Sequence, residues 1–307
     1  MTTDGGHSHN LETGTRRHRR RLGIVLAITL SVVAIEVVGG LLSGSLALLA
    51  DAGHMLTDAT GVTIALVAAT LAGRPATNRK TFGWLRAEIL AALANGLLLA
   101  GLGVWVIVQA LQRWNDPPHV STGLMLAVAV IGGLANFASL MVLRGSHKDS
   151  LNVRGAYTEV LGDLVGSIAV ITAAVVIATT GYLRADVLAS IGIGLFILPR
   201  AWALLRDALD ILLEATPRNI NIEEVRTHLL GVPGVLDIHD LHIWTITSGV
   251  AALSAHVVVT DECIAQGQTE IALTALSGCL GEHFATEHCT FQLEGAGYRA
   301  RETGLHV

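Results

Sequence analysis

The sequence predicts a six-helix membrane domain followed by a small α+β domain. Three observations carry this. Of 307 residues, 51% are hydrophobic and only 15% charged, against about 25% charged in soluble globular domains. Long apolar runs recur through the first two-thirds of the chain, and beyond residue 210 they give way to short extended segments bounded by turn residues. A soluble enzyme is excluded by this balance, and so is a disordered chain, since apolar surface is plentiful. A net charge of −5 offers no basic face to nucleic acid.

The six apolar runs are 22–42, 46–72, 84–111, 122–143, 155–179 and 185–205. Each is near or above the roughly 20 residues that a helix needs to cross the hydrocarbon core. They are expected to be helical because lipid offers no water to an open backbone. Residues 1–21 are polar, carry His7 and His9, and end in Arg16, Arg17, His18, Arg19, Arg20 and Arg21. This stretch is expected to be a flexible cytoplasmic N-terminus whose basic end meets anionic lipid. The apolar run after it is too long for a signal peptide.

Arg74, Arg79, Lys80, Arg144, Lys148, Arg154, Arg200 and Arg206 fall with the N-terminus on one side of the spans. The positive-inside rule then puts both termini in the cytoplasm, with the protein multi-pass in the inner (plasma) membrane. The domain boundaries follow as 22–207 for the membrane domain, 208–295 for the C-terminal domain and 296–307 for a frayed tail.

The C-terminal domain reads as helix 222–230, a turn at Gly231-Val232-Pro233-Gly234, strands 235–247 and 251–260, helix 268–280 and strand 289–294. This α-β-β-α-β order places helices on one face of a sheet. Cys263, Cys279 and Cys289 form no C-x-x-C pair, so they are expected to be cytosolic thiols rather than a redox or zinc-finger motif.

Ionisable groups inside membrane helices are costly and mark function. His54 and Asp58 lie one turn apart on the second span, with Asp51 beside them, and Glu159 and Asp163 repeat that spacing on the fifth, with Ser167 a turn further. If the two helices face one another, His54, Asp58, Glu159 and Asp163 form a cage of one nitrogen and carboxylate oxygens. Such a donor set suits zinc, and manganese, iron, cobalt and cadmium also take these ligands. No thiolate lies in the membrane runs, which argues against copper(I). Asp51, Asn95 and Ser167 are candidates to support the ligands by hydrogen bonding, while Glu36, Asn136 and Asp186 read as support or helix packing. Neither a Walker A sequence nor a His-Glu-x-x-His segment is present, so no P-loop ATPase or metallohydrolase chemistry is expected. The protein is read as a non-enzyme that needs no cofactor. Its alternative reading is a membrane-bound metal sensor without transport.

The segments Leu49-Ala-Asp-Ala-Gly-His54-Met-Leu-Thr-Asp58, Phe82-Gly-Trp-Leu-Arg-Ala-Glu88-Ile with Asn95, Glu159-Val-Leu-Gly-Asp163 and His239-Asp-Leu-His-Ile-Trp244 closely resemble the cation diffusion facilitator family, in order and over nearly the whole chain. The likeness is greatest to the bacterial zinc/cadmium/cobalt efflux branch. It implies a homodimer with six membrane helices and a cytoplasmic ferredoxin-like domain, exporting divalent cations by antiport against protons. The family's transport motif falls on His54, Asp58, Glu159 and Asp163. Its cytoplasmic regulatory metal positions fall on His239, His256 and Glu294, where zinc is then a regulatory ligand as well as the substrate. Many zinc-transporting members have His where this chain has Glu159, so this site carries one more negative charge. Proton competition and broader metal selectivity are the expected consequences.

Overall fold

The computed structural model describes the backbone of residues 8–144, 151–283 and 286–299, and the side chains of 23–144, 154–279 and 288–299. His7 therefore lies outside the described residues, as does the side chain of His9. The chain divides into two compact units, one of residues up to Ile64 with Ala94–Leu204, the other of Ala65–Leu93 with the chain from Leu205 onward.

Among the described residues, six helices are long and apolar enough to cross a membrane. They are α1 (Ser8–Ser43), α2 (Leu46–Ala72), α3 (Ala87–Gln112), α4 (Thr122–Arg144), α5 (Leu151–Thr180) and α6 (Arg184–Leu212). Of the boundaries that differ from those expected, three are informative, while α5 simply starts four residues early at Leu151. The first helix begins at Ser8 rather than after the basic run, since arginine is itself a good helix former. The third begins only at Ala87, after turns that include Gly83 at φ 64°. The sixth runs on to Leu212, beyond the expected domain boundary at 207. Hydropathy marks where a chain leaves lipid, not where its helix ends, and Arg206 and Asp210 continue this one as an i, i+4 pair at 4.0 Å.

In the first unit, Leu48, Leu99, Val106, Met125, Val170 and Ile197 are among the side chains of an apolar core drawn from α2 to α6. Large apolar side chains such as Leu41, Leu66, Leu134 and Trp202 remain exposed at 65–70%, as lipid-facing positions must. Helices α3 and α6 approach closely, and a Cβ on Gly194 would meet the Gly103 carbonyl at 3.2 Å. The Asp186 carboxylate of α6 caps α2. It accepts the Ser45 hydroxyl at 2.6 Å and the backbone N–H groups of Leu46 and Ala47 at 2.9 and 3.2 Å. Asp186 is thus a packing residue, stabilised by the positive end of the helix dipole.

The second unit holds α7 (Ile222–Leu230), β1 (Val235–Thr247), β2 (Val250–Val259), α8 (Asp261–Ala265), α9 (Thr269–His283), β3 (Thr286–Gly295) and α10 (Ala296–Arg299). The expected α-β-β-α-β order of the ferredoxin-like domain is present, with two short helices added. Thr260 caps the first of these by accepting the Cys263 N–H at 3.3 Å, and the second continues into the segment expected to be frayed. In the sheet, ordered β1-β2-β3, β1 and β2 pair antiparallel and β2 and β3 parallel. Val225, Leu229, Leu253, Val257, Cys263 and Leu276 fill the core under it, with Cys289 packed against them. Two polar contacts close the same unit: Arg86 bonds Glu214 at 2.9 Å, and the Thr247 hydroxyl donates to Glu88 at 2.8 Å.

Candidate metal centre

Helices α2 and α5 bring their polar faces together inside the first unit. His54 and Asp163 are each 4% exposed, and the Asp58 side chain 11%. One ligand atom from each of His54, Asp58 and Asp163 lies within 4.8 Å of the others. His54 Nε2 and Asp58 Oδ2 are 3.9 Å apart, too far for a hydrogen bond. Two ligands sharing one tetrahedral zinc at about 2.1 Å would stand roughly 3.4 Å apart, so this pair needs only a small contraction. His54 Nδ1, Asp58 Oδ1 and Asp163 Oδ1 are buried without a hydrogen-bond partner. Buried polar atoms left unpaired are rare and costly, and a cation bound by these residues would offset that cost.

Glu159 is the member of the expected quartet that stands apart. Its Oε1 accepts a hydrogen bond at 2.9 Å from Arg200 Nη2, while Arg200 Nη1 donates to Asp58 Oδ2 at 3.0 Å. The sequence had placed Arg200 among the charges flanking the membrane. Its position midway along an apolar helix, directly after Pro199, was the available signal, because an arginine inside a membrane helix needs an acidic partner.

The supporting residues divide. Ser167 donates to Asp51 Oδ2 at 3.4 Å and accepts from Asn136 at 3.3 Å, linking α4, α5 and α2. A Cβ on Gly166 would overlap the Asp51 carboxylate, so glycine there lets α5 approach α2. Glu36 is fully buried, both its oxygens lack a hydrogen-bond partner, and it packs against Gly132. Asn95 lies against Gly61, further along α2 than the ligands.

A second cluster lies on the sheet, wholly within the second unit. His239 on β1 sits opposite His256 on β2, and β3 brings Glu294 alongside. Glu294 Oε1 meets His256 Nδ1 at 2.8 Å, and its Oε2 meets His239 Nε2 at 3.3 Å. These three also offer ligand atoms within 4.8 Å of one another. Sequence reasoning missed Asp240, whose Oδ2 lies 3.7 Å from His256 Nε2. It stands at a bulge in β1 with φ 51°, and no periodic pattern marks such a position. The exposed His242 bonds Asp240 Oδ1 at 2.9 Å.

Six membrane-length helices with an imidazole and carboxylates converging between them define a polytopic membrane protein built to handle cations. More particularly, the chain belongs to the cation efflux family. The family's transmembrane-domain model matches residues 22–213 and its cytoplasmic-domain model residues 217–296. The chain is 42% identical to the metal cation efflux system protein CzcD of Cupriavidus metallidurans, over 98% of this chain and 93% of that one. It is 40% identical both to the cadmium, cobalt and zinc/H(+)-K(+) antiporter of Bacillus subtilis and to the zinc transporter ZitB of Escherichia coli, each over 94% of this chain and 92% of the relative. A solved metal-bound C-terminal domain of the CzcD transporter is 39% identical, covering 24% of this chain and 99% of that one, with a TM-score of 0.22.

Proposed function

We propose that this protein exports divalent transition-metal cations, zinc foremost with cadmium and cobalt, from the cytoplasm in exchange for protons. It works as a homodimer in the plasma membrane with both termini in the cytoplasm. One observation carries the reading: His54, Asp58 and Asp163, each with a buried polar atom that lacks a hydrogen-bond partner, bring one ligand atom apiece within 4.8 Å of the others between two membrane helices. Relatives along nearly the full length bear efflux and antiport names, which favours transport over the sensor alternative.

The mechanism needs no covalent step and no resident cofactor. Metal ligands bind only when deprotonated. At the higher cytoplasmic pH, His54, Asp58 and Asp163 take the ion, and Glu159 is the fourth ligand once released from Arg200. When the site faces the acidic exterior, protons displace the ion from the same atoms. Metal and proton need only bind the two conformations differently for the gradient of one to drive the other. The sheet cluster of His239, His256 and Glu294 is a regulatory metal site.

Everted vesicles carrying the native protein should show saturable zinc uptake driven by an interior-acid gradient, with matched proton efflux. Asp58→Asn and His54→Ala should abolish both. Native vesicles without saturable uptake would return the protein to the sensor class.

A further inference from the structure

Arg200 has no part in an ordinary ligand cage, yet its guanidinium binds two of the four expected ligands of this one. It takes one oxygen from each of two helices, Asp58 Oδ2 on α2 and Glu159 Oε1 on α5. The Asp58 oxygen it holds is also the one that stands 3.9 Å from His54 Nε2. An ion bridging His54 and Asp58 through that oxygen would compete with the guanidinium bonded to it, and Asp58 Oδ1 is left without a hydrogen-bond partner. The same hydrogen bonds hold Glu159 outside the three-residue cluster.

We infer that Arg200 is a tethered counter-cation, which closes the metal-free site by pairing Asp58 with Glu159 and must withdraw for a divalent ion to enter. The inference rests on the proposed transport site. Arginine suits the task because its charge is permanent and its planar fork spans two carboxylates. The helix provides for the movement. Pro199 cannot donate the backbone bond to the carbonyl one turn earlier, which loosens α6 next to the arginine. A cavity of about 680 Å³, lined by His54 and Glu159 as well as by Arg154, Thr158, Phe196 and Arg200, gives the side chain room to swing off the two carboxylates. A further cavity of about 510 Å³, sharing Glu159 with the first, reaches Asp58, Glu159 and Asp163 from α1. Arg200 also balances the extra carboxylate that Glu159 brings. Three carboxylates are offset in part by one guanidinium when the ion is absent, so the ion meets a competitor instead of a bare acidic cage. That competitor weakens binding and hastens release.

The test is zinc uptake into proteoliposomes of the full chain, measured against zinc concentration at a fixed pH gradient. Arg200→Gln should lower KM about tenfold, the effect of losing a charge-assisted competitor, while the maximal rate falls because release slows. Arg200→Lys, which keeps the charge but loses the fork, should lower KM less. In a Glu159→Gln background the effect of Arg200→Gln on KM should shrink, since half of the clamp is already gone. A merely structural role would lower the rate with KM unchanged. An unchanged or raised KM in both Arg200 variants, or strict additivity with Glu159→Gln, overturns the inference; if Arg200→Gln does not accumulate, Arg200→Lys alone decides it. Asp58→Asn separates the two readings. Should it transport normally, the site itself is misassigned, whereas if it is inactive and KM is unmoved in the Arg200 variants, only the counter-cation falls.

Discussion

The Glu294 carboxylate, its side chain 1% exposed, meets His256 Nδ1 at 2.8 Å across two neighbouring strands. Its other oxygen reaches His239, so a single buried acid joins all three strands of the sheet. A buried acid between two imidazoles is a binding point for a cation, and its neutral amide would be a poor one. Glu294→Gln, made in the Asp58→Asn background to silence the membrane site, should weaken zinc binding by at least about tenfold in calorimetry of the detergent-solubilised protein. In an otherwise native chain, zinc transport should continue with its metal activation reduced. Full-affinity binding by the double variant would remove the regulatory site.

Glu159→His exchanges a carboxylate for an imidazole and removes one of the two anions that Arg200 clamps. Metal-stimulated proton flux should then narrow toward zinc over cadmium and cobalt, and its pH profile should shift, because a carboxylate is exchanged for an imidazole that binds protons over a different range. Selectivity and pH profile identical to the native protein would reject the assigned role of Glu159.

Gly166→Ala isolates a packing effect. Within a helix the exchange ordinarily stabilises by about 0.5–1 kcal/mol. Here the added Cβ would overlap the Asp51 carboxylate that Ser167 holds, and such overpacking costs about 1–3 kcal/mol. The net result should be a lower Tm in detergent together with reduced zinc uptake. A Tm at or above the native value would show that Asp51 is free to move aside.

Asp186→Ala should destabilise without altering metal handling. It leaves the Ser45 hydroxyl and the N–H groups of Leu46 and Ala47 without their acceptor in the apolar interior, at a cost of at least about 2 kcal/mol. Thermal unfolding should fall by several degrees, and Asp186→Asn should recover part of the loss. The zinc KM of the remaining folded protein should match the native value. A shifted KM would move Asp186 from packing into the transport machinery.

Much of this molecule can be read from one dimension because its strongest forces act locally. Lipid demands long apolar helices, so run length alone located all six, and i, i+4 spacing marked His54 with Asp58 and Glu159 with Asp163 before any helix was placed. The helix at 222–230 and the strand pattern after it were equally plain, since turn residues punctuate them. Where hydropathy and helix part company, at the start of α1 and the end of α6, the boundaries moved. A helix ends with its hydrogen bonds rather than with its last apolar side chain.

Contacts between distant segments belong to the folded chain alone. No spacing links Arg200 to Asp58 and Glu159, Asp186 to Ser45, or Asp240 at its bulge to His256, because each pair meets only after whole elements have packed. Local chemistry nominated the charged groups. Which of them face an ion, which face one another and which cap a helix depends on the alignment of neighbouring helices and strands, set by close approach at residues such as Gly103, Gly166 and Gly194. The sequence therefore names the candidate ligands, and the fold sets Arg200 against two of them.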